Sequence, residues 1–163
     1  MEHTPRRAPD ILILEVDESM PLPRPERLTE FEDWGAFDPR ARPTEMLHWL
    51  IVLADDDTVA VGSLSAHPSY YGPTMGSRAM NIGVSVLESY RGCGIASIAQ
   101  RLLAEELHSR GVVRVEASTD VRNLAEQRAL ARAGFRLEGV MRRAQGRRDG
   151  VHDLQLWSHV APD

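Results

Sequence analysis

Hydrophobic positions along the chain change period several times, and each change marks an element. Ile11-Leu12-Ile13-Leu14-Glu15-Val16 is a leucine and β-branched run of strand length. Residues 20 to 45 carry Pro21, Pro23, Pro25, Pro39 and Pro43, which forbid a long helix and leave room only for short turns around Arg27 to Trp34. Extended patterns return at Trp49 to Ala54 and, after Asp55-Asp56-Asp57, at Thr58 to Ala66, which predicts a hairpin. His67 to Gly76 contains Pro68, Gly72 and Pro73 and reads as a long loop with Tyr70 and Tyr71 at its tip. Met80 to Leu87 is strand again, with Ile82, Val84 and Val86 on one face. Past Gly94 the apolar residues Ile95, Ile98, Ala99, Leu102 and Leu103 follow helical spacing, predicting an amphipathic helix that ends near Gly111. Val112 to Ser118 is a further strand. Asn123 to Ala133 is a second helix, with Asn123 as N-cap, Glu126 at capping-box spacing and Gly134 as the stop. Phe135 to Met141 and Val151 to Trp157 form a final strand pair joined by a basic turn, Arg142 to Gly150.

This order predicts a mixed α/β (α+β) fold: a mainly antiparallel sheet of about six or seven strands flanked by helices. The strand-helix-strand passage from residue 80 to 118 demands one parallel pair within it. Residues 1–10 read as a flexible arm and residues 11–160 as a single domain, which suits a chain of 163 residues. No apolar run approaches the ~20 residues of a membrane helix, and no apolar stretch follows the basic N-terminus, so neither a membrane partner nor a secretory signal is expected. One cysteine, Cys93, cannot form an internal disulfide, which makes a cytoplasmic location the expectation. The net charge of −5 argues against a nucleic-acid partner. All 19 basic residues are Arg; codon bias in a GC-rich genome accounts for that without any function.

The chemistry concentrates in Arg91-Gly92-Cys93-Gly94-Ile95-Ala96, between a buried strand and the first turn of an apolar helix. A helix start offers unpaired N–H groups and about half a positive charge, which suits an anion. Two glycines let a phosphate come close, and the small Ala96 and Ser97 leave the first turn open. A P-loop requires a Lys, and this chain has none. A dinucleotide fingerprint requires a third glycine where Ser97 stands. A tight strand-to-helix turn with no ligand is the remaining alternative.

Arg91-x-x-Gly94-x-Ala96 resembles the R/Q-x-x-G-x-G/A loop of the GNAT superfamily of N-acetyltransferases, which holds the pyrophosphate of acetyl-coenzyme A. The resemblance continues through Arg122-Asn123-Leu124-Ala125, Ala133-Gly134-Phe135-Arg136-Leu137-Glu138-Gly139-Val140-Met141-Arg142 and Asp153, and covers about residues 48 to 160. Within the superfamily it is similar to the RimJ/RimL branch of ribosomal-protein N-acetyltransferases. The resemblance implies that the strand before the loop bulges and parts from its parallel neighbour, so that backbone groups near Val84, Ser85 and Val86 pair with the pantetheine arm. It further implies that Arg91, Gly92, Cys93, Gly94, Ile95, Ala96 and Ser97 form the pyrophosphate loop, that Asn123 contacts pantetheine, and that no metal takes part. Cys93 occupies a variable loop position and reads as an inert small side chain.

For catalysis the resemblance implies a base and an acid around a thioester. Leu130 stands where the family often has a Tyr, Asn81 where this branch often has Glu, and Glu126 where Ser is frequent. Glu116 is the carboxylate best placed by pattern, with His152 a weaker candidate. At pH 7 an α-amine is roughly 10% neutral and a Lys side chain about 0.04%. A site without a strong base therefore favours a peptide or protein N-terminus as acceptor. A small-molecule amine such as an aminoglycoside or polyamine, a non-catalytic acyl-CoA module, and a homodimer stay open.

Overall fold

The computed structural model describes residues 7–162 apart from 37, 42 and 44. Its strands are β1 (Ile11–Val16), β2 (Leu47–Leu53), β3 (Ala60–Tyr70), β4 (Arg78–Val86), β5 (Arg114–Asp120), β6 (Arg136–Arg147) and β7 (Gly150–Val160). Helix α1 (Ile95–Ser109) joins β4 to β5, and α2 (Leu124–Arg132) joins β5 to β6. The strands form one sheet in the order β1-β2-β3-β4-β5-β7-β6, and β4-β5 is the parallel pair that the connecting helix requires.

Both helices pack on the same core. The stripe Ile95, Ala99, Leu103 and Leu107 of α1 is buried, as are Leu130 and Ala133 at the end of α2. They meet Trp49, Ile51, Leu64, Met80, Ile82, Val115 and Ala117 from the sheet. Because side chains alternate along a strand, the registers put Ser63, Ser65 and His67 of β3, Asn81, Gly83 and Ser85 of β4, and Arg114, Glu116, Ser118 and Asp120 of β5 on the other face. That polar face carries neither helix.

Two predicted loops are partly strand, the first keeping residues 71–77 as a loop. β3 continues past Ala66 to Tyr70 because His67, Pro68 and Ser69 find partners in Asn81, Met80 and Ala79. Pro68 lies beyond the end of the β2 ladder, which stops at Ala66, so its missing N–H meets a free edge. The expected basic turn from Arg142 to Gly150 is mostly ladder, leaving only residues 148 and 149 between β6 and β7. The pairing slips between Met141 and Gln145, and the extra residues form a bulge in which Arg143 adopts φ 52° and donates its N–H to the Asp153 carboxylate at 2.7 Å.

The expected arm 1–10 lies partly outside the described residues. Within its described portion, Asp10 accepts a hydrogen bond from the Ala54 N–H at 2.9 Å. Residues 27–35 cross from the end of β4 to the β6–β7 turn. The Arg27 N–H donates to Glu88 at 2.7 Å, Asp33 pairs with Arg148 at 2.8 Å, and the Arg147 guanidinium covers Phe31 and Trp34.

Candidate functional site

β4 and β5 pair at only three positions, Met80 with Val115, Asn81 with Glu116 and Ile82 with Ala117. Beyond them β4 continues to Val86 and β5 to Asp120 without facing each other in a ladder. β4 remains paired to β3 through Val86, and β5 to β7 through Asp120, so the gap is a parting of two intact half-sheets. The β3–β4 register stays in step throughout, so the expected bulge in β4 is not there. Divergence of the strands opens the slot by itself. Val84 and Ser85 on its β4 wall are half-buried, and Val86 is buried.

Each strand leads over the slot's mouth into a helix, and the two helix starts differ. Before α1, Gly92 and Gly94 take φ +78° and +98°. Among the described residues, an added Cβ at Gly92 would touch nothing, and one at Gly94 would only approach Ala8 at 3.9 Å. Left-handed backbone, not crowding, is what calls for glycine there. Gly94 has no side chain to cap the helix, and α1 has no acidic residue in its first turn. Among the described residues, the first-turn N–H groups of Ile95, Ala96 and Ser97 have no side-chain acceptor and no acid neutralises the positive end of the helix. Such a start suits an anion. Arg91 is engaged nearby, donating from Nε to the Val86 carbonyl at 2.8 Å and lying 3.6 Å from Glu32. The Cys93 thiol donates to the Tyr90 carbonyl at 2.9 Å. Asn123 caps α2 by accepting the Glu126 N–H at 3.2 Å.

Val84 to Val86 and the Arg91 to Ser97 loop thus belong to the β4 side of the slot, and Asn123 to its β5 side. Glu116 lies at its closed end, on the last paired rungs beside Asn81, and is 2% exposed. Its carboxylate accepts from Arg114 at 2.5 Å and from the Tyr71 hydroxyl at 2.7 Å. Arg114 reaches on to Glu138, which also accepts from Ser158 at 2.6 Å. These two partners hold the Glu138 carboxyl down at about 2, and its hydrogen bond to Glu116 raises the Tyr71 hydroxyl above the ordinary tyrosine value. Glu116 is therefore a paired carboxylate. Both of these bonds, from Arg114 and Tyr71, fall on Oε1.

Asp120, at the open end of β5, is a buried acid that the sequence did not single out. Burial pushes its carboxyl up, but the Arg122 N–H at 2.8 Å and His152 together outweigh burial and leave it below the ordinary carboxylate value. His152 faces Asp120 through Nδ1 at 2.5 Å and Asp149 through Nε2 at 2.7 Å. Both ring nitrogens of His152 are thus occupied by carboxylates, and the Arg122 guanidinium lies 3.1 Å from Nδ1. The partners lie 32 positions apart, so local pattern gave no signal for the pair.

Residues 2–136 match the model of the acetyltransferase (GNAT) domain family. The chain is 29% identical over 138 residues to the probable N-acetyltransferase YjcK of Bacillus subtilis, covering 84% of this chain and 71% of that one. Among solved structures, Mycobacterium smegmatis RimJ in complex with CoA-disulfide superposes with a TM-score of 0.61 at 28% identity, covering 71% of this chain and 53% of that one. An acetyltransferase from Salmonella typhimurium that modifies the N-terminal serine of ribosomal protein L7/L12 gives a TM-score of 0.60 at 25% identity, covering 73% and 66% respectively. The chain thus spans about half to two thirds of these solved proteins. With the family model matching most of the sequence on a sheet parted beside an uncapped helix, the chain belongs to the GNAT acetyltransferase domain family.

Proposed function

We propose that this chain transfers acetyl from acetyl-coenzyme A to a primary amine, with a peptide or protein N-terminal α-amine as acceptor. The observation that carries the reading is the slot between β4 and β5 ending at the uncapped start of α1. The residues fit the co-substrate part by part. A diphosphate suits the Ile95 to Ser97 amides, and Gly92 and Gly94 keep side chains away from it. An amide-bearing arm suits the unpaired edge of Val84 to Val86, as an added strand would. Asn123 closes the opposite wall. When bound, acetyl-coenzyme A supplies an activated acyl group as a thioester.

The chain's own residues then hold the thioester and the amine together. Proximity of this kind lowers a bimolecular barrier by up to about 7–11 kcal/mol when the geometry is near-attack. The α-amine reading follows from the acids near the site. On the β5 wall of the slot Glu116 is tied to Arg114 and Asp120 to His152, so neither stands free as a strong base. An amine already partly neutral at pH 7 needs least help. The RimJ structure holds a coenzyme A adduct and the Salmonella relative acts on a protein N-terminus, which agrees with both halves of the reading. A polyamine or aminoglycoside would need free acids around residues 26 to 45. Instead Glu30 lies by Arg122, Glu32 by Arg91, Asp33 by Arg148, Asp38 by Arg40 and Glu45 by Arg78, which leaves only Glu26 without an ion pair among the described residues.

Thiol release from acetyl-coenzyme A, measured over peptides with different first residues alongside polyamines and aminoglycosides, tests the reading. Turnover on free α-amines, lost when the peptide N-terminus is blocked, is the expected result. Tight cofactor binding with no turnover on any amine would replace the enzyme by an acyl-CoA-binding module.

A further inference from the structure

The helix-free face of the sheet has a gap in its side chains beside the slot. Gly83 is the first residue of β4 past the last rung shared with β5, and it is exposed although β4 is an inner strand. An added Cβ there would come within 3.0 Å of the Ser65 Oγ, so a side chain at this position would close over β3. On the same face β3 presents Ser65 beside Gly83 and His67 beside Asn81. One row thus runs His67, Asn81, Glu116 and Ser158 across β3, β4, β5 and β7, at the closed end of the slot.

A coenzyme held by its diphosphate at the start of α1 brings its other end to this row. The pantetheine arm has about as many chain atoms as four residues, ~13 Å of extended strand. Laid against β4 from Val86, that length reaches Ile82, where the two strands rejoin. The opposite face is filled by the core under α1, so the amine has its approach over the bare Gly83.

Groups along the row differ in freedom. Glu116 is ion-paired with Arg114 and accepts from Tyr71, and the Asn81 amide takes no proton at neutral pH. His67 is half-buried, and among the described residues its ring has neither a hydrogen bond nor a charged neighbour acting on it. Burial alone holds it below the ordinary imidazole value, so at pH 7 it is neutral with a lone pair to offer. The other ionisable groups around it are His48, beside Ser65 on β2, and Arg78, three residues back on β4 and paired with Glu45.

Resting on the acetyl-transfer reading above, we propose that His67 is the proton acceptor for the incoming amine, reached through a water that Asn81 orients. The bound ammonium gives one proton by way of that water to a ring nitrogen of His67, and the freed lone pair bonds to the acyl carbon. The carbon–sulfur bond breaks with its electron pair passing to sulfur, and the surplus proton of the new amide nitrogen goes to that sulfur to form the thiol. His67 returns its proton to solvent before the next turnover. Taking a proton from an α-amine is easier than from lysine by roughly 2.5 pKa units, so a base as weak as imidazole also narrows the choice of acceptor.

His67→Gln, which stays polar but cannot take the proton, tests the assignment, with His67→Asn as a second variant and His48→Gln as the control. Coenzyme A affinity by calorimetry stays within about twofold of wild type in all three. In wild type kcat climbs with pH to about 6.5 and then levels. Both His67 variants lose about 10²-fold and that climb, while His48→Gln keeps both. A second readout needs no turnover. With coenzyme A bound and no acyl group present, the ring C–H resonance that His67→Gln removes is titrated by NMR. A peptide with a free N-terminus moves this titration to lower pH, because a neighbouring cation disfavours the imidazolium, and the N-acetylated peptide does not. Wild-type kcat in a His67 variant, an intact climb, an equal loss in His48→Gln or an unmoved resonance would overturn the assignment. So would a fall in coenzyme affinity that matches the fall in rate, which would make the ring structural. Wild-type protein that binds no coenzyme A, or binds it without turnover, would instead overturn the acetyl-transfer reading on which it rests.

Discussion

The starts of α1 and α2 flank the same slot, yet one is finished by its own sequence and the other is not. Asn123 caps α2 and an acid occupies its first turn. Gly94 leaves α1 with no side-chain cap and no first-turn acid. An N-cap contributes about 1 kcal/mol, so leaving it out costs stability unless another group takes its place. The contrast teaches that the incomplete terminus is the informative one. A closed terminus explains only its own helix, whereas an open one at the edge of a parted sheet points to a ligand.

Gly94→Val tests the open terminus most severely. Valine in a left-handed backbone forces the loop to rearrange, and acetyl-coenzyme A affinity by calorimetry should fall at least 10³-fold, about 4 kcal/mol. Among the described residues only Ala8 approaches an added Cβ there, so the thermal unfolding transition should persist. Unchanged affinity would remove the anion from that corner and with it the meaning of the contrast.

The closed terminus is probed through pH. In the unfolded chain Glu126 ionises near its ordinary 4.5, while in the fold it holds its proton to about 7. The unfolded state therefore releases a proton first, and wild-type stability declines as pH rises from about 4.5 to about 7. Glu126→Gln lacks this decline. The gap in unfolding free energy between variant and wild type, from urea titrations, should widen with pH to at most about 3 kcal/mol by pH 8. Parallel pH profiles would show that the carboxyl ionises freely in the fold.

The smallest effect belongs to the cap itself. Asn123→Ala should lower stability by about 1 kcal/mol and speed amide hydrogen exchange in the first turn of α2. If Glu126 formed a complete capping box, the loss would be larger and Glu126→Ala would reproduce it.

Much of this contrast was legible in the sequence. The switch from strand to helical period after Gly94, the paired glycines and the Asn123 to Gly134 span located both helix starts. Capping is a local property, and a local pattern records it. What eluded the sequence depends on partners far along the chain. β3 extends past Pro68 because Asn81 and Met80 lie opposite, and β6 extends past Arg142 because β7 supplies a ladder. Glu116 was recognisable as a candidate, and Arg114 lies on the same face two residues away. Its second partner, Tyr71, comes from 45 positions away, and that contact helps turn a candidate base into a paired carboxylate. Glu126 was misread for a related reason. Capping-box spacing was present, but Asp120 claimed the Asn123 N–H and released the carboxyl.

The three rungs joining β4 to β5 have a mechanical consequence. They are a short spine between two leaves, one from β1 to β4 and the other from β5 to β7, each internally bonded along its length. Anything extended that lies between the leaves and offers amide donors and acceptors lengthens that spine. Occupancy and stiffness are then coupled, and the protein becomes more of a single body each time the gap is filled.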